Sequence, residues 1–324
     1  MLQKILSLAS RAPSTHNTQP WQFKIVSSEI IEIHLDESRK LSVVDKESRY
    51  ALISIGCMLE NLILASKKFG YNAKYSFNFE SRKILTINFE KNEGQDTLNN
   101  LEDKIFNKIE TRVNSRGIFT NATINNEHIL EIKNYLASLS DLNDISIDFI
   151  SDKNKIEQVA SLAERAVEDI YAGGDFRKEF SKYIVGPFSS KLFGIPTFSL
   201  NLPTVLGVLL PFAMKNFNLG PILKKINYKS ISSAPTIVLI SGESNSQNFI
   251  KVGRVSEIIM LYFQAVGYDT SIFTASIESP YNLELEKITD LKSRSQFMFC
   301  VGKFDEKTSR KVTARESLES KIIQ

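Results

Sequence analysis

The segment GCMLENLILASKKFGY, Gly56–Tyr71, aligns without a gap on GRVSEIIMLYFQAVGY, Gly253–Tyr268. The two copies share both glycines, the glutamate, one leucine and the closing tyrosine. Each copy is apolar on almost every face, which is typical of a helix buried between layers, and each ends at a glycine that can take the left-handed conformation. Helices ending in Gly-Tyr are common, so two unrelated core helices remain an alternative. The repeat favours a fold that is normally a symmetric dimer but is built here from one chain.

Helices and strands alternate irregularly around this repeat, which predicts an α+β fold. For the first half we predict a helix at residues 2–10, strands at 21–26 and 30–35, the repeat helix at 50–69, and strands at 73–79 and 84–89. For the second half we predict helices at 101–113, 127–136 and 155–171, strands at 145–150, 236–240 and 297–301, and the second repeat helix. The polar residues 91–100 have no apolar period and predict a linker. We therefore expect two halves, at residues 1–95 and 96–324.

The composition narrows the class of protein. The chain has 324 residues, 42% of them apolar, which is enough for a large core and excludes a disordered protein. Its formal net charge of +3 is small and spread along the chain, so we expect no nucleic-acid partner. Cys57 and Cys300 each lie in an apolar run and are predicted to be buried free thiols in a reducing compartment. The N-terminal apolar stripe lacks a cleavage site of small residues, and we expect a cytoplasmic protein.

One stretch, Leu192–Met214, has no charged residue and is long enough to span a bilayer. Three prolines, two glycines and several polar residues divide it into short pieces and lower its hydropathy. We therefore predict a broken apolar segment that covers a core or a ligand pocket, and no membrane partner.

Several kinds of catalytic site find no support in the sequence. His16, His34 and His128 are far apart and none has a metal-ligand spacing, so no metal site is predicted. Ser54 lacks the glycine two residues earlier that a nucleophile elbow requires, and no glycine-rich dinucleotide loop follows a predicted strand. We predict no catalytic side chain.

The loop between the first helix and the first strand is the strongest candidate for a binding site. Residues 11–23, RAPSTHNTQPWQF, present hydroxyls and amides between two prolines, and an aromatic strand follows. Such a loop can offer donors and acceptors to a planar polar ligand. A capped turn without any ligand is also compatible with these residues.

The pattern Ala-Pro-Ser-x-x-Asn-x-Gln-Pro-Trp-x-Phe in this loop resembles the flavin-contacting segment of the nitroreductase superfamily. Members of that family are usually homodimers with FMN at the subunit interface. The resemblance implies that FMN is the cofactor here, and that the loop binds it through Pro13, Ser14, Thr15, Asn17 and Gln19. Of these, Ser14, Thr15 and Asn17 would contact the flavin ring.

Two segments of the second half resemble other parts of the same family's site. Thr111–Phe119 is similar to the Arg-x-Ser-x-Arg segment that holds the FMN phosphate and pyrimidine edge, a task that suits guanidinium groups because they stay charged and pair bidentately with phosphate. The strand at 297–301 and the basic tail after it are similar to the family's last strand and tail. The resemblance adds these site residues: Arg112, Asn114, Ser115, Arg116, Arg310 and Lys311. Taken alone, each segment is also compatible with a solvated helix end or an ordinary charged tail.

Each of these elements occurs once, the ring-contacting loop in the first half and the other two in the second. This arrangement resembles the Acg-like branch of the superfamily over nearly the whole chain. The resemblance implies a nitroreductase-like fold with pseudo-twofold symmetry, one FMN per chain, and a monomer that suffices for the site, with further dimerisation left open. It also implies a lid over the flavin, for which residues 187–225 are the candidate.

Two functions follow from the resemblance. The first is an FMN-dependent oxidoreductase that takes hydride from NAD(P)H and reduces a nitroaromatic or quinone-type small-molecule acceptor. The alternative is a flavin-binding protein that sequesters FMN or acts in a stress response, with an occluded site and little turnover. Both require the same contacts with FMN, so the sequence does not separate them.

Overall fold

The computed structural model describes residues 1–92, 98–200 and 203–324. Residues 93–97, which make up half of the predicted linker and include the boundary after residue 95, lie outside the described residues, as do residues 201 and 202 of the apolar stretch. Long helices pack against mainly antiparallel sheets, so the predicted α+β class is confirmed.

The elements predicted for the first half are confirmed, with ends that differ by a few residues. They are α1 (Leu2–Ala9), β1 (Trp21–Ile25), β2 (Ile30–Leu35), α2 (Arg49–Lys68), β3 (Tyr71–Glu80) and β4 (Lys83–Lys91). Buried and less buried residues alternate along β1 and β2, as expected for strands with one face on the core. The first helix stops before Pro13, since the residue preceding a proline is disfavoured in helical conformation.

The second half contains more elements than the sequence predicts. They are α3 (Asn100–Phe106), α4 (Asn126–Ser138), β5 (Ser146–Ile150), α5 (Lys153–Ala172), α6 (Gly174–Lys182), β6 (Ile184–Val185), β7 (Ile195–Pro196), α7 (Thr204–Asn216), α8 (Gly220–Ser232), β8 (Thr236–Ser241), α9 (Ser246–Ala265), β9 (Asp269–Ile272), α10 (Asn282–Thr289), β10 (Ser295–Gly302) and β11 (Ile322–Ile323). The helix predicted at 101–113 is wrong beyond Phe106, where the chain continues as turns. These turns lead Arg112 inward to a buried ion pair with Glu257, and this tertiary contact outweighs the local helical pattern.

Two main sheets flank the repeat helices. The first has the order β11-β1-β2-β4-β3, with β11 parallel to β1 and the other neighbours antiparallel. The second, β5-β8-β10-β9, is antiparallel throughout, and every residue of β8 and β10 is buried. A short parallel pair joins β6 to β7. Cys57 on α2 and Cys300 on β10 are buried free thiols, as predicted.

The two repeat helices, α2 and α9, pack directly against each other at their glycines. A Cβ atom on Gly56 would lie 2.0 Å from the carbonyl oxygen of Ile250, and a Cβ atom on Gly253 would lie 2.0 Å from that of Ile53. The two contacts are reciprocal, because each glycine meets the residue three positions before the other glycine. Only glycine allows the two backbones to approach this closely.

The C-terminal segment returns to the first half of the chain. Strand β11 pairs with β1, with Phe23 opposite Ile322. Next to it, the buried Lys321 donates to the carbonyl of Gln19 at 2.8 Å and pairs with Glu316 at 2.7 Å. The end of the second half thus lies beside the loop that the sequence selects as a binding site.

Length and composition alone make α2 a possible membrane span, but 89% of its apolar window is buried inside the protein. The only other described segment that passes the same test is the pair α7 and α8 taken together, and a bend of 115° separates these two helices.

Candidate functional site

The predicted binding loop has an unusual backbone. His16, Asn17 and Gln19 have φ angles of 52°, 54° and 53°, in the left-handed region that non-glycine residues rarely adopt. Each such residue costs about 1 to 3 kcal/mol unless its surroundings hold it there, and such residues cluster at functional sites. The loop is held by two hydroxyls: Ser14 Oγ accepts from the Gln19 amide at 2.9 Å, and Ser54 Oγ on α2 accepts from the Thr15 amide at 3.3 Å.

The side-chain amides of the loop bind a segment that we call the strap, residues 192–196. Asn17 Nδ2 donates to the carbonyl of Gly194 at 3.1 Å, and Gln19 Nε2 donates to the carbonyl of Leu192 at 2.9 Å. Gly194 has a φ of 94°, and a Cβ atom there would lie 2.6 Å from the carbonyl oxygen of Tyr183. The guanidinium of Arg39 lies over the ring of Phe193, and its central carbon is 3.8 Å from the centroid of that ring. Part of the predicted lid therefore contacts the loop directly.

The C-terminal tail binds the loop from another direction. Asn17 Nδ2 also donates to the carbonyl of Ala314 at 3.1 Å, and Gln19 Oε1 accepts from the amide of Glu316 at 2.9 Å. The Oδ1 atom of Asn17 is buried without a hydrogen-bond partner among the described residues, and so is Nδ1 of His16. Buried polar atoms are nearly always paired, so these two atoms are candidates for contact with a polar ligand.

Three arginines converge under the loop. Arg112 is buried, and its Nε donates to Oε1 of Glu257 at 3.1 Å. Both Arg112 Nη2 and Arg315 Nη2 donate to the carbonyl of Arg11 at 3.2 Å, and Arg315 Nε donates to the carbonyl of Ala12 at 3.1 Å. Burial lowers the pKa of Arg315 to about 9, with further lowering from Arg112 and Arg11 and partial compensation from Glu257. This concentration of guanidinium groups suits an anion.

The equivalent position in the other half has a different charge balance. Glu60 corresponds to Glu257 in the repeat and pairs with Arg254 Nε at 2.8 Å. Arg254 also pairs with Asp141 and donates to the hydroxyl of Tyr75 at 2.9 Å. Two carboxylates therefore surround one guanidinium, and together they raise its pKa against the effect of burial. Only the Arg112 side of the molecule has arginines in excess within the described residues.

Arg116 lies in a cleft next to the loop. Its side chain is accessible to solvent, yet surrounding side chains enclose it enough to lower its pKa by desolvation. A side chain that is open to solvent and yet surrounded by other groups lines an open cleft. Its guanidinium lies 5.4 Å from the ring centroid of Phe273, and the charge of Arg116 also influences His16 and Tyr171.

His16 forms the other side of this cleft. Its ring packs edge to face on Phe180 with a centroid distance of 4.8 Å. Burial lowers its pKa to about 4; nearby Glu179 opposes this effect and Arg116 adds to it. His16 is therefore neutral at pH 7 and offers an unpaired ring nitrogen rather than a charge.

Four of the other predicted residues contact segments outside the loop. Asn114 Oδ1 accepts from the hydroxyl of Thr270 at 2.7 Å, and Ser115 Oγ donates to the carbonyl of Ser309 at 2.9 Å, so these residues join their segment to β9 and to the tail. Arg310 makes a bidentate pair with Asp269 at 2.9 and 3.0 Å. Lys311 is exposed, 5.9 Å from the ring centroid of Phe198. Pro13 is buried at the start of the loop.

Sequence reasoning missed two of the three converging arginines. Arg11 lies in the loop at residues 11–23, but its position there does not mark it as a ligand contact, and the pattern of the tail does not distinguish Arg315 from the other cations. The resemblance predicts Arg310 and Lys311 instead, and their contact with a ligand stays a prediction. An abundance of basic residues in the tail was the one available signal, and it does not identify the residue that reaches the loop.

Comparison with known proteins returns one family. Residues 1–47 match the model described as the nitroreductase family. The chain is 34% identical over 73 residues to acg of Mycobacterium tuberculosis strain H37Rv, provisionally named an NAD(P)H nitroreductase, covering 22% of each chain. It is 41% identical over 68 residues to an uncharacterized protein of the same strain, covering 20% of each chain. The match thus spans about a fifth of the length of these relatives.

Among solved structures, the chain is similar to the FMN-dependent nitroreductase NfnB of Mycobacterium smegmatis in complex with NADPH. The identity is 15% and the TM-score is 0.42, over 68% of this chain and 97% of that one.

Proposed function

We propose that this chain, as a member of the nitroreductase superfamily and of its Acg-like branch, binds FMN and acts as an oxidoreductase. The reaction would carry hydride from NAD(P)H to a nitroaromatic or quinone-type acceptor. The observation that carries the proposal is an excess of positive charge: the buried Arg112 and the half-buried Arg315 meet at the carbonyl of the half-buried Arg11, next to a loop with an unpaired Asn17 Oδ1. An FMN molecule offers both a phosphate dianion and a planar ring with polar edges.

The phosphate end of FMN would be held by the converging guanidinium groups. Bidentate guanidinium contacts with phosphate are short and strong. The added negative charge would oppose the burial, and the repulsion from Arg112 and Arg11, that lower the pKa of Arg315. Arg116 would reach the ligand from the cleft, and Asn114 and Ser115 hold its segment in place through β9 and the tail. Contacts from Arg310 and Lys311 remain part of the proposal.

The ring end would lie at the loop. Backbone groups of the left-handed residues and the side chains of Ser14, Thr15 and Asn17 are available to the polar edges of a flavin, with Pro13 and Gln19 fixing the ends of the loop. FMN supplies the hydride chemistry when it is bound, so the protein's task is to orient it and tune its environment. The neutral His16 contributes an unpaired nitrogen without a competing charge.

We also propose one FMN site per chain, built across a pseudo-twofold axis that passes between Gly56 and Gly253. The reciprocal glycine contacts support the axis. The charge difference between the surroundings of Glu257 and Glu60 supports a single site, because only the first can accept an anion without adding to a negative excess. A monomer would suffice. A cytoplasmic location is part of the proposal, supported by two free thiols.

A second function, an occluded protein that holds FMN with little turnover, is favoured by one observation. The amides of Asn17 and Gln19 are bonded to the strap and the tail rather than directed to a ligand. A strap in this position would exclude water and bulky acceptors from the loop. The two functions differ in whether the strap opens.

Anaerobic titration distinguishes them. The protein is reconstituted with FMN, and the visible flavin absorption is followed while NADH or NADPH is added without oxygen. Bleaching would support the oxidoreductase, and a bound flavin that stays yellow would support the holding protein. Failure to retain any FMN would refute both. Gln19→Leu removes one strap contact and should speed bleaching if the strap limits access.

A further inference from the structure

Helix α7 has a continuous apolar stripe on the outside of the protein. Val205, Val208, Leu209 and Phe212 follow the spacing i, i+3, i+4, i+7, which places them on one helix face. Their exposed fractions are 74%, 49%, 57% and 65%. The opposite side of the helix packs inward, where a Cβ atom on Gly207 would lie 2.7 Å from the Thr197 hydroxyl. The stripe is therefore the solvent-facing side of a helix whose other side is packed against the protein.

Helix α8, after the bend, has an exposed apolar face of its own. Ile222 and Ile226 are 62% and 54% exposed, and the exposed Lys225 and Lys229 occupy the i+3 and i+7 positions of the same face. Phe217, between the two helices, is 58% exposed. Apolar side chains and lysines thus share one face, in the arrangement that amphipathic helices use to lie in a membrane interface.

The charge of this region has one sign. Residues 180–242 contain six lysines and no aspartate, glutamate or arginine. Lys224 pairs with Glu168 of α5 at 2.6 Å, whereas the other five, Lys182, Lys191, Lys215, Lys225 and Lys229, are exposed. The chain as a whole has a net charge of only +3, so the segment that carries the apolar surface is also where positive charge is concentrated.

We propose that the exposed face of α7 and α8 binds an anionic phospholipid surface, with the helices lying in the interface and the rest of the protein outside the bilayer. Apolar side chains enter the acyl boundary while lysine stems extend toward the headgroups. Each lysine near an anionic leaflet adds to binding. This proposal replaces the expectation of no membrane partner, and it does not depend on FMN.

Two other arrangements fit these observations less well. A second copy of the chain on this face would bring together two surfaces whose charged residues are all lysines. Like charges at an interface oppose association. A bilayer span is disfavoured by the 115° bend between the helices and by Pro211 inside α7. An anionic phospholipid surface offers acyl chains to the apolar stripe and negative headgroups to the lysines.

Vesicle flotation of the purified full chain tests the proposal. We expect binding to vesicles of phosphatidylcholine mixed with phosphatidylglycerol, little binding to phosphatidylcholine alone, and release at about 1 M salt, where charge interactions are screened. The double variant Leu209→Ser, Phe212→Ser should weaken binding at least tenfold, roughly, because two exposed apolar side chains no longer enter the lipid. Lys225→Gln with Lys229→Gln should weaken it by roughly tenfold or more. Leu130→Ser, at a leucine with 60% exposure on α4, is the matched control and should bind like wild type.

The outcomes are distinct. Absence of binding to either vesicle, or equal binding of the Leu209/Phe212 double variant and wild type, would overturn the proposal. Equal binding to both kinds of vesicle would overturn the role of the lysines. Light scattering in solution checks the competing occupant: a wild-type dimer that the Leu209/Phe212 double variant converts to a monomer, without vesicle binding, would assign the face to a second copy.

Discussion

Replacing Arg315 with methionine should separate ligand binding from stability. Burial and two neighbouring arginines lower the pKa of Arg315 from its ordinary value to about 9. Each pKa unit corresponds to about 1.36 kcal/mol, so holding this charge in the folded chain costs roughly 5 kcal/mol as an upper bound. A base with a lowered folded-state pKa destabilises the native protein below that pKa, and this cost declines as the pH rises from about 9 toward the unfolded-state value.

The substitution removes this cost together with the hydrogen bonds that Arg315 donates to the carbonyls of Arg11 and Ala12 and to the hydroxyl of Thr313. The Arg11 carbonyl keeps Arg112 as a donor and the half-buried Thr313 can bind water, so the main loss is at Ala12, about 1 to 3 kcal/mol. We therefore expect Arg315→Met without ligand to unfold at an unchanged or higher urea concentration at pH 7. Its affinity for FMN should fall by about 1.5 to 3 kcal/mol, since a charge-assisted phosphate contact is lost. Urea denaturation and flavin fluorescence titration measure the two effects independently.

Arg254→Met, at the ion pair with Glu60, is the control. It breaks a buried pair with Glu60, so it should lower the free energy of unfolding by about 3 to 5 kcal/mol and leave the FMN affinity of the folded fraction unchanged. The reasoning would be refuted if Arg315→Met strongly destabilised the chain while binding FMN as wild type does. Arg315 would then be a structural pair of Glu257 and no part of an anion site.

Further predictions concern the repeat and the cleft. Gly56→Ala should prevent folding or cost several kcal/mol, because its Cβ would overlap a backbone carbonyl of α9; Gly70→Ala, with a φ of 81° and open space around it, should cost about 1 kcal/mol in urea denaturation. Arg116→Ala should weaken FMN binding by about 1.5 to 3 kcal/mol, and unchanged titration curves would remove it from the site. Asn17→Ala should shift the flavin spectrum or reduce retention; an unchanged spectrum would leave Asn17 a turn residue. His16 is neutral in the folded protein, so stability should fall as the pH drops from about 6.5 toward 4, and His16→Asn should flatten that dependence.

The local pattern of the sequence predicted much of the fold. The elements of the first half, both repeat helices and the strands at 145–150, 236–240 and 297–301 were found from apolar periodicity, because burial of one face repeats at the period of the element. The same reasoning extended the helix at 101 too far, since periodicity does not register an arginine drawn into a buried ion pair. It also missed α7 and α8. Many of their apolar residues face solvent, so the apolar pattern does not follow the burial of one helix face.

By itself, the sequence determined the glycine repeat, the buried helices that carry it and the loop at residues 13–19 as the likeliest place for polar contacts. Only the tertiary structure decided which charges meet. Arg11, Arg112 and Arg315 come from the two ends and the middle of the chain, and their convergence depends on where β11 and the tail return to the first sheet. The strap reaches Asn17 and Gln19 from a distant segment in the same way. Local patterns record the burial of each residue, whereas a site is a set of distances between residues remote in sequence, and packing of the whole chain sets those distances.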